Sequence, residues 1–114
     1  MSGYPIMKTF DPLTEGPVGF FKIFSSAVAP RPIAFVSTLA ADGTRNLSPF
    51  SYFNFFSANP PVLVFSVSTP AAGSEKDTLR NVVESRDCIV HIADRALGDQ
   101  LNLSSAVFAP DIDE

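Results

Sequence analysis

His91 and Cys88, the single histidine and single cysteine of a 114-residue chain, are the first residues to test for chemistry, and they offer little. No carboxylate or nucleophile is tied to His91 by local spacing, so it reads as a packed or hydrogen-bonded strand side chain more readily than as a general base. Three residues apart, Cys88 and His91 fall on opposite faces of a strand and cannot begin a tetrahedral metal site. The serines of SSAVAP and NLSSAV lack a GxSxG elbow. If this chain does chemistry, a cofactor brings the reactive atoms.

Two stretches could hold such a group. In Ser74-Glu75-Lys76-Asp77-Thr78, a helix start offers free N–H groups and a partial positive charge, to which Lys76 adds a full charge and Thr78 a hydroxyl. That set suits a phosphate monoester, and it equally describes an ordinary capped helix with a solvated lysine. The second stretch, NLSPFSYFNFF over residues 46–56, threads Asn46, Ser48, Ser51 and Asn54 between five aromatic rings. The polar positions share no parity, and Pro49 interrupts any hydrogen-bond ladder. Either this is an irregular edge strand with local turns, or it is a surface for a flat ligand rich in heteroatoms. Arg31, between two prolines, is a candidate cation or a structural donor.

Composition narrows the partners. With 46% hydrophobic residues the chain supports one modest core and a single domain over 1–114. Eight scattered Lys and Arg against a net charge of −4 give no basic stripe for nucleic acid. A lone cysteine cannot close an internal disulfide, which fits a reducing cytoplasm. No leader pattern opens the sequence and no apolar run approaches the 18 or so residues of a membrane span, so a soluble, unprocessed protein is expected.

The elements follow from patterning. Residues 1–17 read as an irregular lead-in to the apolar GFFKIFSSAVA. PIAFVSTL, from Pro32 to Leu39, is apolar on both parities, as in a strand covered on both sides. Asp42-Gly43 turns the chain, and the Phe-rich segment returns antiparallel as the second arm of a hairpin. PPVLVFSVS supplies a third strand over about Val62–Val67. KDTLRNVVES sets Leu79, Val82 and Val83 at helical spacing behind a cap at Asp77 or Thr78. CIVHIA is a fourth strand, and ADRALGDQLNLSS a short helix capped by Asp94. Three strands before the first helix predict a mainly β, α+β arrangement with an antiparallel sheet.

In order and spacing, PRPIAFVST, the DG turn, NLSPFSYFN, PPVLVFSV, KDTLRNV and NLSSAVFAP together resemble the flavin reductase-like family (flavoredoxin-like FMN-binding split barrels) over about residues 20–114. The resemblance implies a split β-barrel with short helices, built incompletely at the C-terminus because family chains run well beyond this length. It implies that Ser37, Thr38, Asn46, Ser48 and Ser51 approach the flavin and its ribityl chain. Lys76, Asp77 and Thr78 would hold the phosphate end, Asp77 chiefly as helix cap. His91 stands where relatives commonly carry asparagine. One phosphate-binding helix start without a second Gly-rich loop favours FMN over FAD. The function implied is NAD(P)H-dependent flavin reduction, with hydride passing from NADH or NADPH to FMN and on to free flavin, a partner protein or oxygen. A non-enzymatic FMN electron carrier and a non-functional remnant are the alternatives. The exposed rings and unfinished sheet also imply a homodimer.

Overall fold

The computed structural model describes residues 3, 6–69, 75–106 and 113. Ser74 and most of the C-terminal PDIDE stretch therefore lie outside the described residues. Two compact units divide the chain after Pro30.

The first unit carries α1, Pro12–Ala27. Its start is set by Asp11, whose carboxylate accepts from the Leu13 N–H at 2.8 Å, and by Pro12 in the first turn. The chain breaks at Gly16, which takes φ 68° directly before Pro17. Proline disfavours helical geometry in the preceding residue, and glycine tolerates the alternative. The expected irregular lead-in is thus helical from Pro12 onward, because the Asp-Pro pair is a helix start in its own right.

The second unit holds five strands, β1 (Ala34–Leu39), β2 (Arg45–Phe50), β3 (Phe53–Ala58), β4 (Pro61–Phe65) and β5 (Ile89–Ile92). It also holds α2 (Asp77–Ser85), a 3₁₀ turn (Arg95–Leu97) and α3 (Gly98–Ser104). One sheet has the order β2-β1-β5 and the other pairs β3 with β4, all antiparallel. As expected, β1 is central, and Ala34, Phe35, Val36 and Thr38 are all buried. The β1–β2 hairpin closes through Gly43, at φ 88°, where only glycine sits without strain.

The Phe-rich segment does not form one arm. It splits at Ser51–Tyr52, with β2 ending at Phe50 and β3 starting at Phe53 in the other sheet. A register shift between Phe55 and Ser57 changes the alternation again. The first break is why the polar positions share no parity, since Asn46 and Ser48 lie on β2, Ser51 in the connection and Asn54 on β3. Pro49 is tolerated because β2 is an edge strand of its sheet.

The core lies on one face of β1, where Ala34, Val36 and Phe50 are buried and Phe53, Phe65, Val67, Cys88 and Val90 pack around them. Against the β1–β2 pair α2 lays an unexpected face. Its buried residues are Thr78 and Asn81, while Val83 is 65% exposed. The apolar spacing located the helix but not the side it turns inward. Its cap differs too: Lys76, with extended backbone, is the cap residue and makes no side-chain cap bond, whereas Asp77 is the first helical residue. Asp94 does cap the following 3₁₀ turn, accepting from the Leu97 N–H at 3.1 Å.

Candidate functional site

Antiparallel register puts successive β1 residues on opposite faces, so Ser37 and Thr38 cannot act together. Thr38 points to the side that carries α2. There Asn46 Nδ2 donates to Thr78 Oγ1 at 2.8 Å, with Thr38 Oγ1 at 3.5 Å, and Asn81 Nδ2 donates to Thr38 Oγ1 at 3.0 Å. All four residues are buried. This network fastens the start of α2 to β1 and β2. Asn81 was not singled out from the sequence, although its place three residues after Thr78 puts both on one helix face. Its Oδ1 is buried without a hydrogen-bond partner.

Beside the network lies a second group. Ser48 and Ser51 are half-buried along and just past β2. Arg31 Nε donates to Ser51 Oγ at 3.2 Å and its guanidinium lies 5.4 Å from the Tyr52 ring centre. Lys76 Nζ sits 5.7 Å from the centre of the Phe50 ring. Two cations therefore rest on rings two positions apart in the chain, and each retains unused N–H donors. Asp77 is turned to Arg80 in a 2.8 Å ion pair, which offsets its charge at the helix start.

On the opposite face of the sheet, Ser37 Oγ and His91 Nε2 are 3.0 Å apart, and Phe35 meets the imidazole edge-on at 6.4 Å between centres. His91 is thus a hydrogen-bonded strand residue, as its isolation implied. Near it a cavity of about 440 Å³ is lined in part by Ser37, Leu39, Arg45, Leu47, Ile89 and His91. Arg45, one of these residues, also holds Asp113: the carboxylate accepts from the Arg45 backbone N–H at 2.8 Å and from Nε at 2.9 Å, with Nη2 on its other oxygen. These bonds lower the Asp113 pKa to about 2. Since the folded value is depressed, this pairing supports the fold above the usual carboxylate range and is lost as pH falls through about 2. Carboxylate-detected NMR should find that midpoint, and Arg45→Gln should return it to the ordinary aspartate range.

Among the described residues no cluster of His, Cys, Asp and Glu could hold a metal ion, and no helix is long and apolar enough to cross a membrane. The predicted residues thus separate into three places. Thr38, Asn46 and Thr78 are joined in the buried network, Ser48, Ser51, Lys76 and Asp77 lie around its edge, and Ser37 faces the other way.

Known proteins resemble this chain in sequence and in fold. YwrF, an uncharacterised protein of Bacillus subtilis, is 44% identical over 94 residues, which is 82% of this chain and 45% of that protein. An uncharacterised Aquifex aeolicus protein is 35% identical over 94 residues, again 82% of this chain and 48% of its own length. Among solved structures, nitrilotriacetate monooxygenase component B from Bacillus cereus superposes with a TM-score of 0.86 at 34% identity, covering 96% of this chain and 54% of that one. The 2-nitrobenzoate 2-nitroreductase NbaA of Pseudomonas fluorescens gives 0.76 at 28% identity, covering 89% and 48%. The chain thus spans about half the length of the curated relatives it matches. The split-barrel fold is that of these neighbours, and the profile of the flavin reductase like domain matches residues 26–114. On sequence and structure alike, the chain belongs to the flavin reductase-like family.

Proposed function

We propose that residues 1–114 form one FMN-binding split-barrel domain of a cytoplasmic oxidoreductase that takes hydride from NADH or NADPH. The observation that carries the reading is the start of α2, where Lys76 leaves the first turn without a side-chain cap. Beneath it, Thr78 is pinned to β2 through Asn46 at 2.8 Å. A phosphate needs several donors converging with positive charge, and an uncapped first turn beside a lysine supplies both. The flavin ring needs apolar contact and hydrogen-bonding groups at its edge, which Tyr52, Ser48 and Ser51 offer within five residues. The donor set therefore fits FMN.

In this proposal Lys76 and the first-turn N–H groups hold the phosphate, while Ser48 and Ser51 meet the ribityl chain and ring edge. Thr38, Asn46, Thr78 and Asn81 act from below by fixing where those groups stand. Asp77 keeps its ion pair to Arg80, so its carboxylate does not repel the anion. Ser37 contributes through its main chain, since its hydroxyl faces the far side of the sheet. FMN would supply the hydride-accepting N5 atom, and Arg31, held by Ser51 and Tyr52, would place positive charge on the ring side of the site.

Phe55 and Phe56 are 67% and 70% exposed on β3, and Leu63 is 56% exposed on β4. Such a patch supports a homodimer that covers this hairpin. Sedimentation equilibrium at micromolar concentration should show the dimer, and a well-behaved monomer that still binds FMN would rule it out.

The visible spectrum of the protein reconstituted with FMN, followed under anaerobic conditions with NADH and then NADPH, tests the function. Bleaching by either nucleotide is expected, whereas stable FMN that neither bleaches would make the protein an electron carrier. Lys76→Ala should weaken FMN by about tenfold and leave riboflavin unchanged, because only FMN carries the charge that the ammonium addresses. Equal weakening of both would place the phosphate elsewhere.

A further inference from the structure

The cavity on the Ser37 face of the three-stranded sheet shares Ser37, Thr38 and Asn46 with the flavin reading, but its Leu39, Arg45, Leu47, Ile89 and His91 have no role there. We propose that it binds a small organic monocarboxylate, with the carboxylate on Arg45 and a neutral hydrogen-bonding group at the far end meeting Ser37 and His91. Its volume of about 440 Å³ lies in the range of small-molecule sites, roughly 300–1,000 Å³.

Arg45 already holds one carboxylate, that of Asp113. Its carboxylate sits on Arg45 with Oδ1 shared between the backbone N–H and Nε, and Oδ2 on Nη2. A planar fork plus a main-chain donor on the same residue is a carboxylate receptor, more selective than a lysine point charge. Both partners are largely exposed, the side chains being 68% and 49% accessible, so an incoming carboxylate can compete for the fork.

The register fixes the rest of the ligand. Leu39 faces Arg45, and two residues along β1 Ser37 lies between Leu47 and Ile89. At about 3.3–3.4 Å per residue, the Arg45 level and the Ser37 level are roughly 7 Å apart. Leu39, Leu47 and Ile89 give that interval an apolar floor. At its far end the Ser37 hydroxyl and the imidazole, 3.0 Å apart, can donate and accept. A benzene ring carrying a carboxylate and a para hydroxyl spans this distance. Charge selects against a dianion: among the described lining residues Arg45 is the one Lys or Arg side chain, and Asp87 also lines the cavity. A second negative group would meet that carboxylate and no second cation.

The test is a two-dimensional ¹H–¹⁵N NMR titration of the 114-residue chain with sodium 4-hydroxybenzoate, and with neutral 4-hydroxybenzamide as the control. Saturable shifts centred on Arg45, Ser37 and Ile89 are expected for the acid and none for the amide. Asp113→Ala removes the internal competitor and should tighten binding about three- to tenfold, while Arg45→Gln should weaken it by at least about tenfold. Unsubstituted benzoate should bind several-fold more weakly than its 4-hydroxy form. Equal binding of acid and amide, or no saturable shift even with Asp113→Ala, overturns the proposal. Both of those readouts keep Arg45 in place, so they decide the matter even if Arg45→Gln does not fold. None depends on FMN, so failure here leaves the flavin reading standing, and loss of FMN binding leaves this site standing.

Discussion

Phe50→Ala should destabilise the protein by about 3–5 kcal/mol, enough to unfold much of a small domain at 37 °C. Phe50 is 6% exposed and closes the buried cluster with Ala34 and Val36. Its ring stacks at 5.4 Å on Phe65 of β4, so one side chain joins the two sheets. The same ring carries Lys76 at 5.7 Å. Truncation removes the transfer energy of the ring and leaves a cavity between sheets that only partly relaxes. It also frees Lys76 from its platform, so FMN affinity should fall even where the variant is refolded at low temperature. Chemical denaturation of Phe50→Leu alongside keeps the comparison informative, since leucine fills much of the volume and should lose only a fraction of the stability. A loss below about 1 kcal/mol for Phe50→Ala would mean the two sheets do not share this residue as a common core.

The sequence made some of this visible and hid the rest for identifiable reasons. PIAFVSTL announced a central strand because both faces of its first half are covered, Ala34, Phe35 and Val36 all being buried, and a stretch with no wet side carries no alternation. Asp42-Gly43 announced its turn because a positive φ at Gly43 leaves few alternatives. The stretch from Asn46 to Phe56 was legible as unusual but not as two strands, since a break between sheets and a register shift both appear simply as lost periodicity. In KDTLRNVVES three neighbouring residues can each begin a helix, and the choice of Lys76 as cap rests on its backbone, at φ −69° and ψ 142°, which no side chain dictates. Apolar spacing favoured Leu79, Val82 and Val83 as the inward face, but hydrogen bonding to Thr38 and Asn46 turned Thr78 and Asn81 inward instead. That preference exists only once residues 38, 46, 78 and 81 are brought together across the fold. For the same reason the candidate cofactor residues could be named individually, while their division between a buried network, its edge and the opposite face of the sheet could not.

Asn46→Ala should cost about 2–3 kcal/mol, and Asn81→Ala about 1 kcal/mol, although both delete a buried amide from the same network. The difference follows from what each deletion leaves behind. Asn46 Nδ2 is the donor at 2.8 Å to Thr78 Oγ1 and the longer donor to Thr38 Oγ1. Removing it strands the Thr78 hydroxyl, which is 2% exposed, leaves Thr38 with Asn81 as its remaining partner, and unfastens α2 from β2. Asn81 Nδ2 makes one bond, to Thr38 at 3.0 Å, while its Oδ1 has no partner in the folded state. Deleting that amide loses a bond and also relieves an unpaired acceptor, so the two changes partly cancel. Stability of both variants by urea denaturation gives the comparison directly. The double variant should fall short of the sum, because the two amides share Thr38. FMN affinity provides a second readout: Asn46→Ala, by loosening the start of α2, should weaken FMN more than Asn81→Ala does. Equal stability losses would show that Asn81 Oδ1 is hydrogen-bonded in solution, for instance by a buried water, and that the network is symmetric about Thr38.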